Sequence, residues 1–235
     1  MMDGVLIADK PQGWTSHDVC AFVRKRFKIK KVGHAGTLDP LATGLLVLLL
    51  GSATKQSAAL SGNDKEYAGV IELGTRTDSH DRMGKVLDTA PWEHITLEEI
   101  REKSQQFTGE IFQTPPMVSA LKHEGVRLYQ LARRGVSVPR EARPVTVFEF
   151  NILKKEGRMV HFSVRVSKGT YVRTLVNDLG EALGCLASLY DLRRIKSGLF
   201  NMDSAVTIDE LRKLTPEELQ ARVLPIPAAS THARL

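Results

Sequence analysis

Residues 33–44, GHAGTLDPLATG, place one carboxylate, Asp39, inside a short loop bounded by glycines. Pro40 pushes Asp39 toward an extended backbone, and the flanking glycines permit tight turns on either side. No other acidic residue lies between Asp18 and Asp64. Because glycosidases use paired carboxylates, this isolation favours a lone nucleophile or base. The alternative is an Asp-Pro pair that only starts a turn.

Four further blocks accompany this loop along the chain. They are residues 9–16 (DKPQGWTS), 65–67 leading to 73–78 (LGTRTD), 113–116 with 119–122, and 167–175 (SKGTYVRTL). Together with residues 33–55, these blocks resemble the TruB family of tRNA pseudouridine synthases. They follow one another in the order in which they occur in that family. Five blocks spread from residue 9 to about residue 198 make the resemblance specific to that family.

The resemblance implies that Asp39 is the catalytic aspartate and that Arg173 pairs with it. An arginine partner would hold the carboxylate ionised and oriented. It also implies that Tyr67 stacks on the flipped base and assists removal of the C5 proton. Taken alone, such a tyrosine is more often at the edge of a core, and an arginine near a helix start is normally at the surface.

Three more residues are assigned to substrate binding by the resemblance. Tyr171 matches a second active-site tyrosine, Leu192 an apolar pocket residue, and His34 a histidine that packs against extruded nucleotides. Outside the family, Leu192 would be plain core, and a lone loop histidine is usually uninvolved. Lys10 and Pro11 match the N-terminal motif of the family. We expect this motif to support the Asp39 loop and not to take part in the chemistry.

Positive charge is concentrated beside these motifs. Residues 119–173 hold twelve Lys and Arg, four Glu and no Asp, in a chain of net charge +6. Such a surface suits a polyanion bound through its phosphates, although solvated surface charge is an equal alternative. By the resemblance, residues 113–122 and 127–143 clamp an RNA stem-loop. The RNA-binding side chains expected there are Lys122, Arg127, Arg133 and Arg134.

Apolar runs and periodic segments predict an α+β fold. Strands are expected at residues 5–8, 45–50, 66–73, 145–153, 158–167 and 190–197. Helices are expected after Thr15 and at residues 97–107, 127–134 and 170–183, and a final helix at residues 208–214, as the one helix, with its flanks, within 206–222. The resemblance implies the pseudouridine synthase fold, with a mixed, largely antiparallel sheet flanked by helices and loops.

Length and composition indicate one substantial core, because the chain has 235 residues and is 42% hydrophobic. The longest apolar run, residues 45–50, is too short to cross a bilayer, and no secretory signal is visible. Cys20 and Cys185 stand alone, so we expect a reducing, cytoplasmic location. We expect residues 1–198 to form the catalytic domain and residues 199–235 a short C-terminal extension, without the full PUA domain that bacterial members commonly carry.

The activity implied is isomerisation of uridine 55 in the T loop of tRNA to pseudouridine, after the base has been flipped into a pocket. Asp39 could add to C6 of the base, add to C1′ of the sugar, or take a proton from C2′, and the sequence leaves these open. None of these steps needs a metal or another cofactor, and none is expected. The expected partner is the T-arm stem-loop of tRNA, bound by a monomer with no obligate protein partner and no membrane.

Other interpretations compete with this one. Within the family, the alternative is a guide-RNA-dependent rRNA enzyme, which the lack of an appended domain disfavours. A non-catalytic RNA-binding protein could use the same basic surface without needing Asp39. A hydrolase with Asp39 as nucleophile lacks a base or oxyanion motif. Residues 78–81 (DSHD) could form a hard-metal site, although four polar residues in a turn usually mean a solvated loop.

Overall fold

The computed structural model describes residues 2–119 and 121–226 of the chain, and of Lys122 and Arg133 it describes the backbone only. Residues 227–235, the end of the expected C-terminal extension, lie outside the described residues.

In the described part of the chain, more residues lie in strands than in helices. Their bounds are β1 (Gly4–Lys10), β2 (Val32–Ala35), β3 (Thr43–Leu50), β4 (Lys65–Leu73), β5 (Thr75–Thr77), β6 (Val86–Thr89), β7 (Gly109–Gln113), β8 (Lys122–His123), β9 (Val126–Arg127), β10 (Arg143–Glu156), β11 (Met159–Val166), β12 (Ala187–Ser197), β13 (Phe200–Asn201) and β14 (Val206–Thr207).

Seven α-helices lie in the described part of the chain. They are α1 (Ser16–Arg26), α2 (Ser57–Ser61), α3 (Leu97–Gln105), α4 (Leu128–Arg133), α5 (Val172–Ala182), α6 (Ile208–Lys213) and α7 (Pro216–Arg222). Short 3₁₀ helices cover Gly51–Gln56 and Met202–Ser204. Within residues 2–119 and 121–226, no helix is long and apolar enough to cross a membrane.

The chain divides into two compact units. The first comprises the described residues up to Tyr67 together with those from Arg193 onward, and the second comprises Ala68–Leu192. Two strands, β4 and β12, contain the points at which the chain passes from one unit to the other.

In the first unit, β3 is the central strand, as its apolar sequence predicts. It pairs antiparallel with β1 over the whole length of β1 and antiparallel with β2, and it pairs parallel with β12 at Arg193 and Arg194. Strand β14 extends the other side of β1 in parallel. Strand β3 has neighbours along both edges, and its apolar run from Leu45 to Leu50 is buried, as expected for a strand covered on both faces. Alternate residues of β1 and β3, including Val5, Leu45 and Leu49, form one core cluster.

The second unit is built around a hairpin formed by β10 and β11, which correspond to the strands expected at residues 145–153 and 158–167. These strands pair antiparallel, and β7 pairs antiparallel with the other edge of β10. The even residues of β11, from Val160 to Val166, are buried as their alternation predicts, and Phe162 packs edge-to-face on Phe150 at 5.6 Å. Helix α3 is fixed to this sheet by Arg101, whose Nε donates to the carbonyl of Ile152 at 3.2 Å. The predicted α+β fold with a mixed, largely antiparallel sheet is confirmed.

The final helix expected at residues 208–214 is present as α6, but the expectation that residues 206–222 hold only one helix is wrong. The structure has two short helices there, α6 and α7, separated by Leu214 and Thr215. Pro216 restricts the residue before it to extended backbone, and Thr215 accordingly has φ −76° and ψ 165°. The Thr215 hydroxyl then caps α7, and Pro216 occupies a first-turn position where its missing N–H costs nothing.

Candidate active site

The loop that carries Asp39 is held on both sides of this residue by the first residue of α1 and the segment before it. The Leu38 amide donates to Ser16 Oγ at 2.8 Å, and the same hydroxyl donates to the Leu38 carbonyl at 3.1 Å. The Gly13 amide donates to the Pro40 carbonyl at 2.8 Å. Asp39 is itself half-buried, between anchored neighbours. The block at residues 9–16 therefore supports the loop.

Two buried cations line the same region of the first unit. Lys10 is 0% exposed, and its Nζ donates to the carbonyls of Pro11 and Trp14 at 2.9 and 2.6 Å. Arg194 is 1% exposed, and it donates from Nε to the Leu45 carbonyl at 2.7 Å and from Nη2 to the Gly36 carbonyl at 3.1 Å. Arg194 therefore fixes the start of the Asp39 loop as well as β3.

The charges of Asp39 and Arg194 both act on Lys10. Burial lowers the pKa of Lys10 to about 8, the negative charge of Asp39 opposes this shift, and the positive charge of Arg194 adds to it. The attraction between Lys10 and Asp39 is mutual, so the buried ammonium stabilises the negative charge of the carboxylate. The site can therefore present an anionic nucleophile or base in a setting of excess positive charge.

His34 and Tyr67 also belong to the first unit. His34 lies in β2, where its carbonyl accepts from Ser57 Oγ at 3.0 Å. Burial lowers the pKa of His34, and the positive charges of Arg194 and His17 act in the same direction. Among the described residues, none hydrogen-bonds the buried Nδ1 of His34. Tyr67 is a buried residue of β4.

Arg173 lies in the first turn of α5, in the second unit, and it is buried rather than at the surface, with 3% exposure. Its Nη1 donates to the Ser79 carbonyl at 3.3 Å, and its Nη2 donates to the Val118 carbonyl. The carboxylate of Asp81 lies 3.9 Å from Nη1. These contacts give the guanidinium a defined orientation. Its expected pairing with Asp39 stays a prediction.

The turn at residues 78–81 is tied into the second unit. Asp81 Oδ1 accepts from Ser79 Oγ at 2.7 Å and from the Met83 amide at 3.0 Å. His80 has a positive φ of 64°, its Nδ1 lies 3.3 Å from Thr174 Oγ1, and burial lowers its pKa to about 4. His80 is therefore uncharged at neutral pH. Within residues 2–119 and 121–226, no group of three or more His, Cys, Asp and Glu is arranged to hold a metal.

Tyr171 is positioned by a residue that sequence reasoning did not single out. Its amide donates to Gln113 Oε1 at 2.7 Å, and Gln113 Nε2 donates back to its carbonyl at 3.1 Å. Gln113 is 2% exposed. Tyr171 is the N-cap residue of α5, but its side chain makes no capping hydrogen bond. Gln113, at the end of β7, thus holds the backbone of the residue immediately before α5. Leu192 is buried in β12.

The predicted RNA-binding residues lie in and around α4. Arg127 and Arg134, at either end of this helix, are exposed, and the side chains of Lys122 and Arg133 lie outside what the structure describes. The helix is anchored by buried Leu128, whose amide donates to the Leu121 carbonyl at 2.8 Å. The RNA-binding role of these four residues stays a prediction.

Arg194 and Gln113 were the residues that sequence reasoning missed. Arg194 follows another arginine in an alternating strand, which usually indicates a solvated position. Its burial depends on the parallel pairing of β12 with β3, which places Arg194 opposite Gly44. Gln113 did stand inside one of the five blocks, and that was the signal by which it could have been found.

A mixed, largely antiparallel sheet carries a braced loop whose lone carboxylate interacts with the buried Lys10, and these features fit a pseudouridine synthase. Residues 24–172 match the family described as TruB family pseudouridylate synthase (N terminal domain), and residues 173–230 match the tRNA pseudouridylate synthase B C-terminal domain. The chain belongs to the TruB family of pseudouridylate synthases, which confirms the resemblance and the fold predicted from sequence.

Relatives and solved structures agree with this assignment. The chain is 48% identical over 225 residues to tRNA pseudouridine synthase B of Opitutus terrae, covering 96% of this chain and 93% of that protein. With the protein of the same name from Geobacter sulfurreducens it shares 45% identity over 227 residues, covering 97% and 75%. A solved structure, "Crystal Structure of a Cbf5-Nop10-Gar1 Complex", matches with a TM-score of 0.75 and 32% identity, covering 95% of this chain and 60% of that one.

Proposed function

We propose that this protein converts uridine 55 in the T loop of tRNA to pseudouridine, with Asp39 as the catalytic carboxylate. The observation that carries the proposal is the setting of Asp39, a lone carboxylate in a loop braced by Ser16 and influenced by the buried charges of Lys10 and Arg194. The two relatives are both named tRNA pseudouridine synthase B, which supports the same reaction.

The reaction needs little beyond an ionised carboxylate in a defined place. The N1–C1′ bond breaks, the base turns, a C5–C1′ bond forms, the C5 proton leaves, and N1 gains a proton. Addition to C6, addition to C1′ and removal of the C2′ proton all begin with an anionic Asp39. The nearby ammonium of Lys10 favours that anion. No cofactor and no metal take part.

The flipped uridine is bound by five further residues. Tyr67 stacks on the base and assists removal of the C5 proton. Tyr171 and Leu192 contact the flipped uridine as well. Arg173 pairs with Asp39 through its oriented guanidinium, and His34 packs against the extruded nucleotides. The uncharged state favoured for His34 by burial suits packing against a base.

The T-arm stem-loop of tRNA is held by the basic segment around α4. Lys122, Arg127, Arg133 and Arg134 contact its phosphates, and the exposure of Arg127 and Arg134 supports this role. Residues 1–198 form the catalytic domain. The enzyme works in the cytoplasm as a monomer, without an obligate protein partner.

The test is incubation of the purified protein with an unmodified T-arm stem-loop, followed by carbodiimide mapping of modified uridines. We expect a single modified position, uridine 55, without added metal or protein. A stem-loop with cytidine at that position is the matched control. Modification elsewhere, or only in the presence of a guide RNA and partner proteins, would contradict the proposed substrate.

A further inference from the structure

Positive charge is concentrated at the end of α1 and in the short segment between α1 and β2, in the first unit. Six cations lie there, and all of them are exposed: Arg24, Lys25, Arg26, Lys28, Lys30 and Lys31. We call these six residues the basic cluster. No acidic residue lies between Asp18 and Asp39, and among the described residues none of the six forms an ion pair. The dipole of α1 favours the cations of its last turn, but it does not account for the three lysines beyond the helix.

The segment between α1 and β2 holds these charges in one arrangement. The Ile29 amide donates to the Arg24 carbonyl at 3.2 Å, and the Gly51 amide donates to the Lys31 carbonyl at 2.9 Å. Phe27 and Ile29 are each 8% exposed, so their side chains point inward while the lysines beside them point outward. Both ends of the segment are therefore fixed, and the basic cluster is preformed.

Lys28 occupies a backbone position at which glycine is usual. Its φ is 54°, in the left-handed region, and it directly follows Phe27, the C-terminal cap residue of α1. Helices commonly end with glycine at this point, because a residue with a Cβ is strained in that conformation. The lysine thus keeps a positive charge on the surface at a cost in stability, and strain of this kind is typical of functional positions.

The end of α6 adds two more exposed cations. Arg26 donates from Nη2 to the carbonyls of Arg212 and Leu214 at 3.2 and 2.9 Å, so the ends of α1 and α6 lie together. Arg212 and its neighbour Lys213 are both exposed, and the acid nearest to Arg212, Asp209, lies 3.8 Å away on the surface, where an ion pair contributes little. Like charges gathered in this way repel one another, and a bound polyanion removes that repulsion.

The basic cluster lies at the opposite end of α1 from Ser16, the residue that holds the Asp39 loop. Helix α1 has 11 residues and spans about 15 Å at a rise of about 1.5 Å per residue. This length separates the cluster from a base bound at Asp39. An RNA that reaches the cluster therefore does so with a part of its backbone other than the flipped nucleotide.

We propose that the basic cluster, extended by Arg212 and Lys213, binds the phosphate backbone of tRNA outside the T-arm. The proposal rests on the proposed function, in which the T-arm itself is held by the segment around α4. Exposed lysines and arginines without acidic neighbours are complementary to a polyanion and contact phosphates whatever the base sequence. A membrane surface suits the cluster less well, because its apolar residues, Phe27 and Ile29, are buried and do not form a face that enters lipid.

The first experiment measures Kd for full-length unmodified tRNA and for the T-arm stem-loop by fluorescence anisotropy over a range of salt concentrations. The variant is Lys28→Gly/Lys30→Ala, and Lys85→Ala/Lys154→Ala, at exposed lysines of the second unit, is the control that removes the same charge. The variant should raise Kd for full-length tRNA roughly tenfold and lower the salt slope by about 2. Its Kd for the T-arm stem-loop should equal that of the control.

Thermal melting separates binding from folding. Glycine removes the strain at the left-handed position, so Lys28→Gly alone should melt no lower than the wild type while it binds full-length tRNA more weakly. A lower melting temperature together with weaker binding of both RNAs would assign the effect to the fold and contradict the interface.

The second experiment locates the contact by hydroxyl-radical footprinting of full-length tRNA. The wild type should protect a stretch of backbone outside the T-arm, and Lys28→Gly/Lys30→Ala should lose this protection while protection of the T-arm stays. Identical footprints would overturn the proposal. Binding to phosphatidylserine vesicles that depends on these lysines, with Kd for tRNA unchanged, would assign the surface to a membrane and overturn it as well.

The two proposals fail in different ways. A wild-type protein that makes no pseudouridine in the T-arm stem-loop contradicts the proposed function. An active wild type, with Lys28→Gly/Lys30→Ala binding full-length tRNA as well as the control variant does, contradicts the interface alone. Equal weakening of both RNAs would also overturn it, since the cluster would then contact the T-arm.

Discussion

The hydroxyl of Ser16 and the backbone of Leu38 hydrogen-bond each other in both directions, at 2.8 and 3.1 Å, across 22 residues of sequence. One side chain thereby satisfies both backbone groups of a buried residue next to Asp39. Because Ser16 is the first residue of α1, the start of that helix determines where the Asp39 loop lies.

We predict that Ser16→Ala lowers the turnover rate at least tenfold with little effect on RNA affinity. The substitution leaves the amide and carbonyl of Leu38 buried without their partner, which costs about 1–3 kcal/mol. The loop relieves that cost by shifting, and a shift of Asp39 reduces the rate of the chemical step. Single-turnover kinetics with measured Kd separates the two effects. Ser204→Ala is the control, and an unchanged rate in Ser16→Ala would contradict the positioning role.

Gln113→Leu should destabilise the protein by about 2 kcal/mol and lower kcat more than it raises KM. The leucine fills similar space but leaves the amide and carbonyl of Tyr171 without partners at the start of α5. Urea denaturation and steady-state kinetics measure both quantities. Gln105→Leu, at an exposed glutamine, should change neither. A variant with normal stability and normal kcat would show that Gln113 does not position Tyr171.

The lowered pKa of Lys10 leads us to predict how stability and activity depend on pH. Its pKa is about 8 in the folded protein against 10.5 for an ordinary lysine. Between these values the unfolded chain binds more protons than the native protein, so the Lys10 contribution to stability rises with pH across the window. Activity should instead fall as the pH rises above about 8, because deprotonation of Lys10 removes the positive charge that favours an anionic Asp39.

The measurement compares pH profiles of single-turnover rate and of urea stability for the wild type and Lys10→Met. Methionine keeps a long apolar chain but does not titrate. We expect the single-turnover rate of Lys10→Met to be lower than that of the wild type at pH 7. We also expect its rate not to show the decline that begins near pH 8 in the wild type. The same alkaline decline in both proteins would assign it to another group.

Gly180→Ala should destabilise the protein by at least about 1 kcal/mol, although alanine is the better helix former. A Cβ at this position of α5 would lie 2.5 Å from the Cβ of Ala187, at the start of β12, and closer still to its amide nitrogen. Thermal or urea denaturation measures the change. Gly33→Ala is the control, since its nearest neighbour would be 3.6 Å away, and equal effects in both variants would exclude the close approach as the cause.

Sequence reasoning was most successful where local signals agreed with the fold. The alternation in β11, the cap at Thr15 and the apolar run of β3 all predicted their elements, because each is decided by neighbours along the chain. The split between α6 and α7 was missed because the pairing of threonine with proline at residues 215 and 216 was not weighed as a helix boundary.

The candidate site was predictable only in part, for a physical reason. Asp39 stands out because its own neighbours in sequence are unusual. Arg194 and Gln113 gain their roles from partners far away in the chain, at Gly36 and at Tyr171. Such long-range hydrogen bonds leave no periodic pattern in the sequence, and a buried arginine looks like a surface one until the strand pairing is known.

The most direct measurement is the single-turnover rate of pseudouridine formation by Asp39→Asn on the T-arm stem-loop, with Kd determined on the same RNA. Asparagine keeps the shape of the side chain and removes its charge, so we expect the rate to fall by at least about 10⁴-fold while Kd changes less than about threefold. Pseudouridine formation by Asp39→Asn at close to the wild-type rate would contradict the central role of this carboxylate.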